Sequence, residues 1–130
     1  MKTILIADDE PNIAAFLKEI LQDAQYQVLS VSNGQEALAY MKDHKVDYVI
    51  TDILMPHMNG IELTKSIQSQ YPETKVIVIS GGGETGGVTK HILMDAAVNF
   101  GAISCVEKPF RAEQILAAIK DDCDKEIIPA

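Results

Sequence analysis

The sequence predicts an α/β fold in which a five-stranded parallel sheet is covered by helices on both faces. Three observations carry this reading. Short apolar runs alternate five times with longer stretches of helical periodicity. Several of those runs are apolar at nearly every position, as strands buried on both faces are. No linker, repeat or shift of composition divides the 130 residues, a length that suits one domain.

Taken in order, Thr3–Ala7 is the first apolar run and stops at the acids Asp8, Asp9 and Glu10. Pro11 suits a first helical turn, where its missing N–H is no loss, and Ile13, Phe16, Leu17, Ile20 and Leu21 recur at helical spacing. Tyr26–Val31 alternates as the second strand. Asn33, three residues before Glu36, reads as a capping box opening a helix that carries Ala37, Leu38 and Met41. Asp47–Thr51 is the third strand and again ends on an acid, Asp52. The segment from Met55 to Gly60 is a turn, and Asn59 with Glu62 caps a helix running to Gln70, where Tyr71-Pro72 breaks it. Lys75–Ile79 is the fourth strand, ending at Ser80.

A glycine cluster, Gly81-Gly82-Gly83 and Gly86-Gly87, precedes a helix expected from Val88 to Phe100, with Gly101 as its C-cap. Ile103–Val106 is the fifth strand, Lys108-Pro109-Phe110 a turn, and Ala112–Cys123 the last helix. The domain therefore spans residues 1–124, and 125–130 form a short tail. Asp121, Asp122 and Asp124 oppose the dipole of that last helix, so its end is expected to fray.

Composition excludes several classes. A hydrophobic share of 47% and a mean hydropathy of +0.05 rule out a disordered or fibrous chain. No apolar run approaches the ~20 residues of a membrane span, and the early acids interrupt any signal peptide. Cys105 and Cys123 are too few for a disulfide framework and lack metal-ligand pairing, which suits a reducing cytoplasm. Nineteen acids against eleven bases give a net charge of −8 and a pI near 4.7. Such a field repels phosphate backbones, so neither nucleic acid nor membrane is an expected partner.

In a doubly wound sheet of strand order 2-1-3-4-5, functional groups gather at the carboxyl ends of the strands. Asp8 and Asp9 after strand 1, Asp52 after strand 3, Ser80 after strand 4 and Lys108 after strand 5 then converge. Three carboxylates placed together repel and raise one another's pKa unless a cation intervenes. A hard divalent ion, Mg²⁺ with Mn²⁺ as its substitute, resolves that conflict. Asp52 becomes a carboxylate nucleophile able to take a phosphoryl group as an acyl phosphate, with Lys108 neutralising phosphoryl oxygens and Ser80 offering a hydroxyl. Singly, each has a plainer reading: Asp8 to Glu10 as charges favoured at a helix start, Asp52 as a loop acid, Lys108 as a solvated lysine. Their common edge argues against coincidence.

The runs Ile4-Leu5-Ile6-Ala7-Asp8-Asp9-Glu10, Asp52-Ile53-Leu54-Met55-Pro56-His57-Met58-Asn59-Gly60 and Lys108-Pro109-Phe110 resemble the receiver domain of two-component response regulators. The likeness covers residues 2–122 and is nearest to the single-domain type of the chemotaxis regulators. It implies a flavodoxin-like fold and Asp52 as phosphoacceptor, with a sensor histidine kinase or phosphotransfer protein as donor. It implies Mg²⁺ bound by Asp9, Asp52 and the backbone carbonyl of Leu54, with Asp8 acting largely through a water. Ser80 matches the family's switch hydroxyl, and Lys108 its phosphoryl-binding lysine, joined to Pro109 by a cis peptide. Output passes to a separate effector protein or along a phosphorelay, from a cytoplasmic monomer or a weak phosphorylation-dependent dimer.

Three departures qualify the likeness. The glycine cluster lengthens the stretch from Ser80 to Lys108, and reads as a flexible connector because the lysine of a P-loop is missing. Cys105 stands where the family often has a Tyr or Phe that changes sides on activation, and reads as a half-buried thiol rather than a redox sensor. Leu54 and Gly82 occupy positions that often tune water access to the acyl phosphate, and neither brings a polar group. His44, His57 and His91 lack ligand spacing, while Met41, Met55, Met58 and Met94 read as packing.

Other functions meet specific obstacles. A phosphohydrolase of the haloacid dehalogenase type needs Asp-x-Asp, and Leu54 stands in the second place. A flavin carrier of the same topology needs a first loop that welcomes phosphate, which three acids repel. A phosphorylation-independent binding module would have no use for the acidic pocket, Ser80 and Lys108. The end soon after the last helix leaves no room for an output domain, and the start at Met1 makes a stand-alone chain the expectation, although a receiver excised from a longer protein would read the same.

Overall fold

The apolar runs form strands β1 (Thr3–Ala7), β2 (Gln27–Val31), β3 (Tyr48–Asp52), β4 (Lys75–Ser80) and β5 (Ser104–Glu107). Helices α1 (Pro11–Asp23), α2 (Gly34–Met41) and α3 (Gly60–Gln70) join the first four strands. Helix α4, seen over residues 95–99, precedes β5, and α5 (Ala112–Ile127) closes the chain. This is a computed structural model; it describes residues 1–53, 58–80 and 95–127, with side chains through Lys120. The glycine cluster and the expected helix start at Val88 lie outside the described residues, as do Leu54, Met55, His57, His91 and Met94. No helix among the described residues is long and apolar enough to cross a membrane.

The strands pair in parallel in the order β2-β1-β3-β4-β5, as the sequence predicts. Successive strand residues point to opposite faces, so two cores form. Leu5, Ala7, Val49, Val76 and Val78 cluster with residues of α2, α3 and α4. Ile4, Ile6, Ile50, Ile77 and Ile79 cluster instead with Leu17 and Leu21 of α1 and Ile115 and Ile119 of α5. Such runs read as uniformly apolar because both faces are covered.

The caps follow the sequence with one variation. The Asn33 side chain accepts from the Glu36 N–H (2.9 Å), but Glu36 accepts from Ser32 N–H (2.7 Å), one residue before the cap. Asn59 accepts from the Glu62 N–H at 2.8 Å and starts α3. Gly101 takes φ = 115° and follows α4, and a side chain there would fall on Gln68. Phe16 departs from its expected place in the α1 core stripe. It stays 41% exposed and packs against Phe110 with the rings tilted 48° and their centroids 6.0 Å apart.

Several boundaries move. β3, β4 and β5 each end one residue later than expected, because Asp52 pairs with Ile79 and Ser80 with Glu107 in the ladder. α5 runs to Ile127, past both the predicted helix end at Cys123 and the predicted domain boundary at 124. Lys125 and Glu126 are good helix formers, and each residue added to an existing helix closes a further hydrogen bond.

One glycine ties the sheet to α3. The Gly60 N–H donates to the Ile53 carbonyl at 2.7 Å, and a Cβ there would fall on the Asp52 carbonyl oxygen and 2.9 Å from the Ile53 Cα. Both neighbours are backbone, so neither can rotate away. Gly60→Ala is expected to destabilise the protein by about 1–3 kcal/mol and to shift the NMR signals of Asp52 and Ile53. An unchanged urea midpoint with unchanged signals would show that α3 can move off β3 freely.

Candidate functional site

Each site residue is held by backbone before its side chain acts. Asp8 follows β1, and its N–H donates to the Val31 carbonyl at 3.1 Å. Its Oδ1 accepts from the Glu10 N–H at 2.8 Å. Asp52 ends β3; the Ile53 N–H donates to the Ile79 carbonyl, and the Thr51 hydroxyl to the Asp52 carbonyl, both at 3.0 Å. Lys108 follows β5, with its N–H on the Ser80 carbonyl at 2.8 Å and a cis peptide to Pro109.

The side chains then meet at the carboxyl edge. Lys108 Nζ lies 3.0 Å from Asp52 Oδ2 and 3.3 Å from Glu10 Oε1. Carboxylate oxygens of Asp8, Glu10 and Asp52 all lie within 4.8 Å of one another. Asp8 and Asp52 are each 4% exposed. Asp8 Oδ2 is buried and accepts no hydrogen bond from the described residues.

These surroundings set the proton affinities. Burial pushes the Asp8 carboxyl up to about 6; the Glu10 N–H and Lys108 pull it down, while Asp52 and Glu10 repel its charge. Burial alone would lower the Lys108 ammonium, but its hydrogen bond to Asp52 and the charges of Asp52 and Asp8 more than offset that, so its pKa rises. The lysine stays charged and the acids compete for it.

One residue of the expected set does not join the cluster. Asp9 is exposed and lies outside the three-carboxylate group, which Glu10 joins. The backbone at Glu10 is extended (φ −94°, ψ 110°), and residues two apart in extended chain face the same way. Asp8 and Glu10 therefore share the face toward Lys108, while Asp9, with Asp8, lines a pocket of about 330 Å³ beside Lys18, Ser30 and Ser32. The clue was the period-two spacing of Asp8 and Glu10, continued past the end of β1.

The other candidates are placed as follows. Ser80 is buried at the end of β4, beside the pair Asp52–Ile79. Cys105 is half-buried, and burial, then Asp95, pushes its thiol pKa up, which favours the protonated thiol. His44 stacks on Tyr40 at 4.0 Å with Nδ1 3.0 Å from the Tyr40 carbonyl oxygen, far from the acids. Met41 and Met58 belong to the core beside α2 and α3. A cavity of about 650 Å³ sits at the opposite edge of the sheet beside Lys2, Asp47 and Lys75.

The sequence profile of the family described as the response regulator receiver domain matches residues 4–120. The chain belongs to this family. It is 36% identical over 119 residues to the chemotaxis protein CheY of Thermotoga maritima, covering 91% of this chain and 94% of that protein. It is 35% identical to the response regulator GtcR of Aneurinibacillus migulanus, but spans only 46% of that protein's length. Among solved structures, CheY4 of Vibrio cholerae superposes with a TM-score of 0.77 at 32% identity, covering 93% of this chain and 98% of that one. A receiver domain protein from Clostridium thermocellum gives a TM-score of 0.85 at 27% identity, covering 97% of each chain.

The chain is thus a CheY-like, phosphorylation-activated signalling switch, whose role is signalling rather than turnover of substrates. Receiver domains interact with histidine kinases and downstream effectors and hold Mg²⁺ at an acidic pocket. Among the described residues, Asp8, Glu10 and Asp52 form an acidic group at this edge.

The Asp8 carboxyl carries a pH dependence whose sign is fixed. Its folded pKa, about 6, lies above the ordinary 3.8, so the native state binds that proton more tightly than the unfolded chain does. The penalty is absent below pH ~4, grows as pH rises to ~6, and is complete above that. With divalent cations chelated, Asp8→Asn is expected to be about 2–3 kcal/mol more stable than wild type at pH 8 and to lose that advantage at pH 4. Equal urea stability at pH 8 would mean that the buried charge costs nothing.

Proposed function

We propose that Asp52 of this receiver is the phosphoacceptor, that Lys108 and Ser80 complete the transfer site, and that a histidine kinase or phosphotransfer protein is the donor. The observation that carries this is Lys108 Nζ held 3.0 Å from Asp52 Oδ2 beside a buried, unpartnered Asp8 oxygen. An Asp52 oxygen attacks phosphorus, the P–N bond of the donor's phosphohistidine breaks, and its electron pair returns to the ring nitrogen. Lys108 steadies Asp52 before transfer and takes charge from a phosphoryl oxygen after it. Ser80, at the adjacent strand end, offers its hydroxyl to another.

The acidic group fits a hard divalent cation, since three carboxylates face one ammonium and Asp8 Oδ2 lacks a donor. The residues proposed to hold Mg²⁺, or Mn²⁺ in its place, are Asp8, Asp9, Asp52 and the backbone carbonyl of Leu54. When bound, the ion supplies positive charge against the phosphoryl oxygens. A donor protein must approach across this same edge. Ile13, Phe16 and Phe110 line an apolar pocket of about 400 Å³ there, beside Lys108 and Pro109. Output passes by protein contact or phosphorelay, and the compartment proposed is the cytoplasm.

The test is intact mass after incubation with Mg²⁺ and acetyl phosphate. Wild type is expected to gain one phosphoryl group, and Asp52→Asn none. Uptake by Asp52→Asn equal to wild type would remove Asp52 as acceptor. No Mg²⁺-dependent uptake by wild type would favour a phosphorylation-independent binding module, and sustained turnover of a phosphate ester a hydrolase.

A further inference from the structure

We propose that Glu10 is a positioning residue for phosphoryl transfer. It holds Lys108 in the unphosphorylated state and competes with the incoming phosphoryl group for that ammonium. The inference rests on Asp52 being the acceptor.

The geometry supplies the competition. Lys108 spends one donor on Asp52 Oδ2 at 3.0 Å and one on Glu10 Oε1 at 3.3 Å. A lysine has three donors, so most of its capacity is already taken. A carboxylate oxygen of Glu10 and one of Asp52 lie within 4.8 Å, so Glu10 is a near neighbour of a phosphoryl group on Asp52. That group brings about −1.5 to −2 of charge in place of the single charge of Asp52. Glu10 and the phosphoryl group then want the same ammonium and repel each other.

Exposure decides which partner yields. The Lys108 side chain is 15% exposed and that of Asp52 5%, whereas Glu10 is 60% exposed. Asp8 cannot move aside either, being buried and tied to the Glu10 N–H. Glu10 can turn its carboxylate into water at little cost. It is thus the movable charge of the site, acting on the transfer through Lys108 without needing to touch the donor.

This role has a sign opposite to that of a cation ligand. Removing a competitor tightens the phosphorylated state, whereas removing a ligand weakens it. Beryllofluoride, a phosphoryl mimic, can be titrated at saturating Mg²⁺ into wild type, Glu10→Gln, Lys108→Met and the double variant, with NMR amide shifts as readout. Glu10→Gln is expected to bind about three- to tenfold more tightly than wild type. Lys108→Met is expected to bind more weakly, and adding Glu10→Gln to it should recover little of the gain. Unchanged or weaker binding by Glu10→Gln overturns the proposal. So does a gain of equal size with and without Lys108, which would mark a general charge effect. Wild-type insensitivity to beryllofluoride, or a full response in Asp52→Asn, would instead overturn the acceptor assignment beneath it.

Discussion

Three carboxylates crowd within 4.8 Å at one edge of the sheet, and the ammonium of Lys108 reaches two of them. Repulsion and burial both oppose that arrangement. It persists because the backbone pins the two buried acids and the lysine. Asp8 is pinned by its N–H on Val31, Asp52 by its place in the ladder with Ile79, and Lys108 by its N–H on Ser80. Gly60 packs α3 directly against the Asp52 carbonyl, which closes the remaining side. Two covered sheet faces supply the rigidity behind these ties.

Function follows from the same conflict. Two buried acids, one with an oxygen that accepts no hydrogen bond from the described residues, favour a hard cation, and the ammonium beside Asp52 favours a phosphoryl group there. A change of charge at Asp52 acts first on Lys108, whose backbone is joined to Ser80 and so to the ends of β4 and β5. Cys105, on β5, is too small to report that change as a swinging aromatic ring would.

Much of this was legible in the residues. Apolar runs ending abruptly on Asp8, Asp52 and Ser80 place polar groups at one edge once the sheet is parallel, and the strand order does the rest. Asn59 and Gly101 announce a cap and a stop through local chemistry, which needs no tertiary knowledge. That Glu10 joins Asp8 and Asp52 was less plain, because it depends on how far extended backbone continues past β1 before Pro11 starts a helix. Phe16 sits at helical spacing yet stays exposed, because Phe110 meets it from a turn that periodicity along α1 does not register. The strand ends shifted by one residue because pairing partners, rather than the polarity of Asp52 or Ser80, decide where a ladder stops.

The claim beneath all of this is that the acidic cluster is an electrostatic conflict which a divalent cation relieves. Urea unfolding at pH 7.5, with and without Mg²⁺, addresses it without any phosphodonor. Wild type should gain stability with Mg²⁺, by about 1.4 kcal/mol at ten times its dissociation constant, and Asp52→Asn should lose most of that gain. A wild-type midpoint indifferent to Mg²⁺, or an equal gain in Asp52→Asn, would contradict it.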